Sequence, residues 1–310
     1  MALVSSPEQS RRGLALGVAA YSMWGAFPLY FPLLEPAGAF EILAHRIIWS
    51  MVTMGLLVVV LRRGRQLRAL LRDRRRSWLL TAAAAVIAVN WVGFIWGVNN
   101  GRVVEVSLGY FINPLVTVLM GVLILGERLR PAQWAAVALA GTAVTGLAID
   151  YGRPPWIALL LAFSFGTYGL MKKKANAGAV ESLTLETVLL SPLALAYLVW
   201  LGTQDRLVFG SEGVGNALLL ASTGIVTALP LLCFSAAATR LSLVTIGLLQ
   251  YLTPTVQFTL GVLYFHEPMP TARWVGFVVV WLALAIFTGE AILRHRRRQL
   301  DLCVDGSPAH

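Results

Sequence analysis

The chain has 310 residues, 57% of them apolar and 13% charged, with a formal net charge of +10 and a mean hydropathy of +0.72. A soluble domain carries about 25% charged residues, so the composition excludes an ordinary globular protein and points to an all-α integral membrane protein. The basic residues sit in short clusters between apolar runs, a footprint of membrane topology that argues against nucleic acid as a partner.

Residues 1–12 form a polar N-terminal tail with Arg11 and Arg12 ahead of an apolar run. The run 13–34 is long for a signal-peptide core, so it reads as an uncleaved first span. Spans follow at about 40–61, 78–98, 104–125 and 132–150, then at 156–171, 183–201, 215–237, 243–265 and 272–291. A hydrocarbon core of about 30 Å needs roughly twenty apolar residues of helix. Ten transmembrane helices result, with a polar tail over 292–310. The longest internal loop, Arg62–Ser77, holds eight arginines and suits anionic lipid headgroups or a role as topology determinant alone.

The fourth and fifth spans recur 140 positions later. Without a gap, Pro114 falls on Pro254, Gly121 on Gly261, Glu127 on Glu267 and Trp134 on Trp274. Apolar composition repeats Val and Leu by chance, but not a Pro, a Gly, a Glu and a Trp in one register. The chain therefore divides into two five-helix units, 13–150 and 156–291. An odd number of spans makes the second copy enter from the opposite side, so the units are inverted repeats. With both termini in the cytoplasm, 20 of the 25 Lys and Arg lie on the cytoplasmic side and 4 outside, as expected at a plasma (inner) membrane.

Several runs resemble the EamA-type transporters of the drug/metabolite transporter superfamily, and within them the RarD group. They are Glu127 followed by Gln133-Trp134, the run Glu41–Ser50, Asn90-Trp91 with Asn99-Asn100-Gly101, and Ser107–Leu115. The similarity runs from about Gly13 to Leu293. It implies ten helices, inverted five-helix repeats and a substrate path between the halves.

Ionisable groups inside spans are few: Glu41, His45, Arg46, Glu105 and Glu186. Each costs at least ~2.5–3.5 kcal/mol at mid-helix and needs a partner or a task. Glu41 and His45, four apart, share a helix face; Arg46 is turned about 100° from His45. Arg46 cannot shed its charge. It either snorkels to the interface, pairs with its repeat equivalent Glu186, or finds an acid in its own half of the membrane. Depth favours the last, with Glu41 or Glu105 as partner. Glu105 is otherwise an interfacial residue at a helix N-terminus, and Glu127 and Glu267 sit ahead of helix starts where the dipole favours them.

Neutral polar groups Asn90, Asn99, Asn100, Asn113, Gln250 and Gln257 serve either as helix–helix glue or as a polar wall around a substrate. Trp24, Trp49, Trp91, Trp96, Tyr110 and Tyr251 sit among them; aromatics near span ends suit interfacial belts, while Trp24, Tyr110 and Tyr251 lie deeper and are the better cavity candidates. Substrate-path candidates are thus Trp24, Glu41, His45, Arg46, Asn90, Trp91, Glu105, Tyr110, Asn113, Gln250, Tyr251 and Gln257. Pro114 and Pro254 are hinge candidates, because each removes a backbone donor in corresponding spans.

The chain lacks a Walker loop, a Gly-rich dinucleotide turn and His/Cys metal spacing, which argues against an enzyme and calls for no cofactor. Its two cysteines, Cys233 and Cys303, make neither a disulfide framework nor a metal site. Two functions remain. One is a secondary transporter, an exporter or permease of small organic metabolites or drugs, with Glu41, His45 and Glu105 as the groups that could couple it to protons. The other is a non-transporting membrane scaffold that kept the duplicated fold. The fifth and tenth spans, low in polar groups, pack outside the path and offer a surface for a homodimer.

Overall fold

A computed structural model describes residues 7–125, 129–238, 240–241 and 243–305. Among them all regular structure is helical. Helix α1 (Pro7–Gly25) is followed by α2 (Phe27–Tyr30) and a 3-10 turn, Phe31–Leu34. Then come α3 (Ala39–Val60), α4 (Gly64–Arg72), α5 (Arg74–Asn99), α6 (Val103–Leu125) and α7 (Pro131–Asp150). The second half has α8 (Trp156–Ala175), α9 (Ala179–Thr203), α10 (Gly213–Ala238), α11 (Leu243–Leu249), α12 (Leu252–Thr259) and α13 (Thr271–Asp305).

Eight of the described helices are long and apolar enough to span a membrane, and nine if the bent pair Arg11–Gly25 and Phe27–Leu34 counts as one. The sixth expected span is present as a shorter apolar helix, Trp156–Lys172. The first expected span is not straight. Its two pieces meet at 45°, where Gly25 lets the chain approach Val256 and Pro28 and Pro32 each remove a helical donor. The expected loop over 62–77 contains α4, whose Leu67 and Leu70 pack inward three residues apart while Arg65, Arg68 and Arg72 are exposed. Asp73 caps the next helix, accepting from the Arg76 amide at 3.1 Å.

The main packing pairs are α5 and α6 on α8, α1 on α10 and α12, α3 on α9 and α10, α6 on α12, and α7 on α13. Large apolar side chains such as Leu56, Val59, Leu193 and Leu282 are more than half exposed on the rim of this bundle. In water that would be a liability; against acyl chains it is the expected surface. One end of the bundle carries most of the arginines and is joined by Arg63–Glu181 and Arg130–Glu290 at 2.9 Å each. The arginine-poor end is joined by Arg153–Glu105 at 2.7 Å and Arg273–Asp150 at 2.8 Å.

The two hinge prolines have different settings. Pro114 lies inside the unbroken α6. Pro254 lies in the first turn of α12, just past the break between α11 and α12 at Gln250-Tyr251, and that span ends in a π-helical turn, Leu260–Tyr264. In the first turn of a helix a proline removes no helical bond.

Candidate functional site

Arg46 is the focus. It stands two turns into α3 and is 5% exposed. Its Nε donates to the Thr227 hydroxyl of α10 at 3.0 Å. Its guanidinium carbon lies 4.1 Å from the centre of the Trp91 ring of α5, and 5.6 and 5.8 Å from Phe27 and Phe31 of the bent first span. Tyr30 and Tyr110 stand within electrostatic reach. The Tyr30 hydroxyl meets Ser222 Oγ and the Leu219 carbonyl of α10, both at 2.8 Å. Side chains from both halves of the chain therefore meet at one buried cation.

Close helix approach builds this junction. A Cβ on Gly224 would run into the Trp49 carbonyl of α3, so only glycine lets α10 come this near. Thr227 is three residues further along the same helix, which brings its hydroxyl to Arg46.

The acid partner expected for Arg46, Glu41 or Glu105, does not bind it. Among the described residues none forms an ion pair with it, and each acid considered is engaged elsewhere. Glu41 accepts from the Val208 and Phe209 amides at 2.8 and 3.3 Å. Glu105 binds Arg153 through both oxygens, at 2.7 and 3.3 Å, and accepts from the Ile157 amide at the start of α8. Glu186 binds Lys172 at 2.8 Å and accepts from the Tyr168 hydroxyl. Nor does Arg46 snorkel, being too deeply buried. One charged hydrogen bond is worth about 1.5–3 kcal/mol and a desolvated cation–π contact about 2 kcal/mol. These offset much of the cost of an intramembrane arginine but leave its charge uncompensated.

Other path candidates lie around this centre or away from it. Asn90 donates to the Leu161 carbonyl and to Ser164 Oγ of α8, at 3.1 and 2.9 Å, and accepts a long 3.4 Å bond from Tyr110. It is both glue and neighbour. Trp24 packs edge-on to Tyr21 and against Phe234, and its carbonyl accepts from Gln257 Nε2 at 3.3 Å. His45 stacks on Phe209 with ring centres 4.7 Å apart, its Nε2 3.9 Å from Glu41. Asn113 accepts from Thr117 of its own helix. Tyr251 turns towards α13, meeting Thr288 Oγ1 at 3.3 Å, with Gln250 also bonded to it. Glu105, Asn113, Gln250 and Tyr251 therefore do not join Arg46.

Glu267 does serve a helix N-terminus, but not that of the helix it precedes. Its carboxylate accepts from the amides of Val103 and, at 3.0 Å, Val104, which open α6. Burial pushes this carboxyl up to about 7 against the pull of those amides and Arg273. Its repeat equivalent Glu127 lies outside the described residues.

Sequence reasoning missed Glu181, which is 4% exposed and binds Arg63 Nη1 at 2.9 Å. The signal was there, since Glu181 stands 140 positions after Glu41. It also missed Phe27, Phe31, Tyr30, Ser222 and Thr227, for which apolar runs carry no distinguishing pattern.

A bundle of apolar helices with a buried cation at the junction of its halves is the architecture of a multi-pass membrane protein with an internal polar centre. Residues 11–149 and 154–289 each match the EamA-like transporter family. The chain is 57% identical to Protein RarD of Streptomyces exfoliatus, over 96% of this chain and 95% of that one. It is 44% identical to Protein RarD of Escherichia coli (strain K12), over 94% and 98%. It is also 34% identical to a Pseudomonas aeruginosa protein named chloramphenicol-sensitive protein RarD, over 94% and 97%. A chain of solved structure shares the fold with a TM-score of 0.57 at 17% identity, covering 88% of this chain and 96% of that one. The chain belongs to the EamA-like transporter family, and within it to the RarD type.

Proposed function

We propose that this chain is a secondary transporter, an exporter or permease, moving small organic solutes across the plasma membrane along a path between its two halves. The observation that carries the reading is the uncompensated Arg46 at the meeting point of α3, α5, α10 and the bent first span. A scaffold has no use for a buried charge that the described acids leave unpaired, whereas a carrier can complete it with cargo.

The packing supports ten spans in inverted repeats. A 140-residue exchange turns the pair α5–α8 into α1–α10, and α6–α8 into α1–α12. The pairs α3–α9, α6–α12 and α7–α13 map onto themselves. Gly38 and Gly178, also 140 apart, both open their helices with extended backbone, at ψ of 160° and 150°. The arginine-rich end is then cytoplasmic, with both termini on that side. Glu41 and His45 are the groups through which protons would be coupled to transport.

The test is solute flux into proteoliposomes of purified protein, with and without an imposed pH gradient. Saturable flux absent from empty vesicles is expected. Passive leak alone, at every solute and gradient, would leave the scaffold reading standing instead.

A further inference from the structure

We infer that Arg46 seats the anionic group of the cargo, and that the cargo class is a monocarboxylate with an apolar body. This rests on the transporter reading above. Arg46 commits its Nε to Thr227, and among the described residues none accepts from its two terminal nitrogens. Those nitrogens form a planar fork that matches a carboxylate's two oxygens.

Charge balance selects the class. One cation is compensated by one negative charge; a phosphate dianion would leave an excess of charge in an apolar enclosure. A zwitterion would need an acid near its ammonium, and Glu41, Glu105 and Glu186 are already held by amides or cations. A neutral solute would leave the guanidinium as costly as before. The side chains packed around the guanidinium are the aromatic rings of Phe27, Phe31 and Trp91, a surrounding that favours an apolar body behind the carboxylate. The Tyr30 and Tyr110 hydroxyls add polar points that do not change the charge.

Binding to the full-length protein in lipid nanodiscs tests this with benzoate, 3-phenylpropanoate and octanoate against their amides, phenylphosphate and phenylalanine. At least one carboxylate should bind ten-fold or more tightly than its amide, and more tightly than the dianion or the zwitterion. Arg46→Gln should erase the preference of acid over amide, and Arg46→Lys should keep part of it. Should Arg46→Gln fail to fold, the wild-type protein still decides the matter. The carboxylate that binds should protect Arg46 from phenylglyoxal, read on the Arg46 peptide by mass spectrometry, and its amide should not. Equal binding of acid and amide, tighter binding of phenylalanine or phenylphosphate, or binding without protection of Arg46 would overturn the assignment. Flux separates the two readings. Saturable flux of neutral solutes, unchanged in Arg46→Gln, removes the anion seat and keeps the transporter. Arg46-dependent binding without any flux keeps the seat and removes the transporter.

Discussion

Glu41 and Glu181, 140 residues apart, each grip the chain that leaves the other's helix. Glu41, in the first turn of α3, accepts from the Val208 and Phe209 amides beyond the end of α9. Glu181, in the first turn of α9, takes Nη1 of Arg63 beyond the end of α3. Because α3 and α9 pack on each other, the two contacts form one clasp at each end of the bundle. Each acid is almost fully buried, so losing its partners costs more than an exposed pair would.

If the carrier alternates between two openings, the clasps oppose each other, and weakening one favours opening at its end. Cys233, part-buried on α10 towards the arginine-rich end, is a native reporter. With Cys303 replaced by Ser, Glu181→Gln should speed labelling of Cys233 by a membrane-impermeant thiol reagent several-fold in inside-out vesicles. Glu41→Gln should slow it or leave it unchanged. Acceleration by both variants would mean that the clasps only hold the fold together.

The pair Glu105–Arg153 should respond asymmetrically. Glu105 is 2% exposed, whereas the Arg153 side chain is 33% exposed. Removing the cation strands a buried carboxylate; neutralising the carboxylate frees an arginine that can turn towards water. Arg153→Gln should therefore cost about 1–3 kcal/mol, more than Glu105→Gln, after discounting for the exposed partner. The double variant should resemble Glu105→Gln. Thermal melting in detergent measures all three, and equal single-variant losses would contradict the account.

Two close glycines should differ. A Cβ at Gly224 meets the Trp49 backbone, whereas at Gly276 it meets the Leu147 side chain, Cδ2 and Cγ both at 2.6 Å. Backbone cannot step aside, but a leucine can change rotamer. Gly224→Ala should destabilise by about 1–3 kcal/mol and move Thr227 from Arg46, and Gly276→Ala should cost less. Melting temperatures test the order, and carboxylate binding should fall only in Gly224→Ala.

Much of this was legible in the sequence because a membrane leaves few options. Long apolar runs announce helices, and the shared Pro, Gly, Glu and Trp announce a repeat. The buried ionisable groups were legible too: Glu41, His45, Arg46, Glu105 and Glu186 are all at most 5% exposed. Partners were not. Depth along a helix put Glu41 and Glu105 in the same outer half as Arg46, but depth does not say which way a side chain turns, and backbone amides at Val208 and Ile157 took both. Lys172, counted as part of the loop, folds back onto Glu186. The bend after Gly25 and the break at Gln250-Tyr251 arise from packing between α1 and α12 as well as from proline, and no single run carries that information.

Glu267 makes the stability depend on pH. Burial raises its carboxyl from 4.5 to about 7 in the folded chain, while an unfolded chain ionises near the lower value. The folded state therefore holds a proton that the unfolded state has lost across that interval. The stability this contributes is complete below about 4.5 and is lost as pH rises through about 7. Arg273, Glu105, Asp150 and Tyr151 surround the site, so the whole profile mixes several groups. Comparison with Glu267→Gln isolates the one of interest. Between pH 5 and pH 8 the wild-type melting temperature in detergent should fall relative to that of the variant. A constant difference across that range would mean that Glu267 keeps one charge state throughout and that its bonds to the Val103 and Val104 amides alone set its contribution.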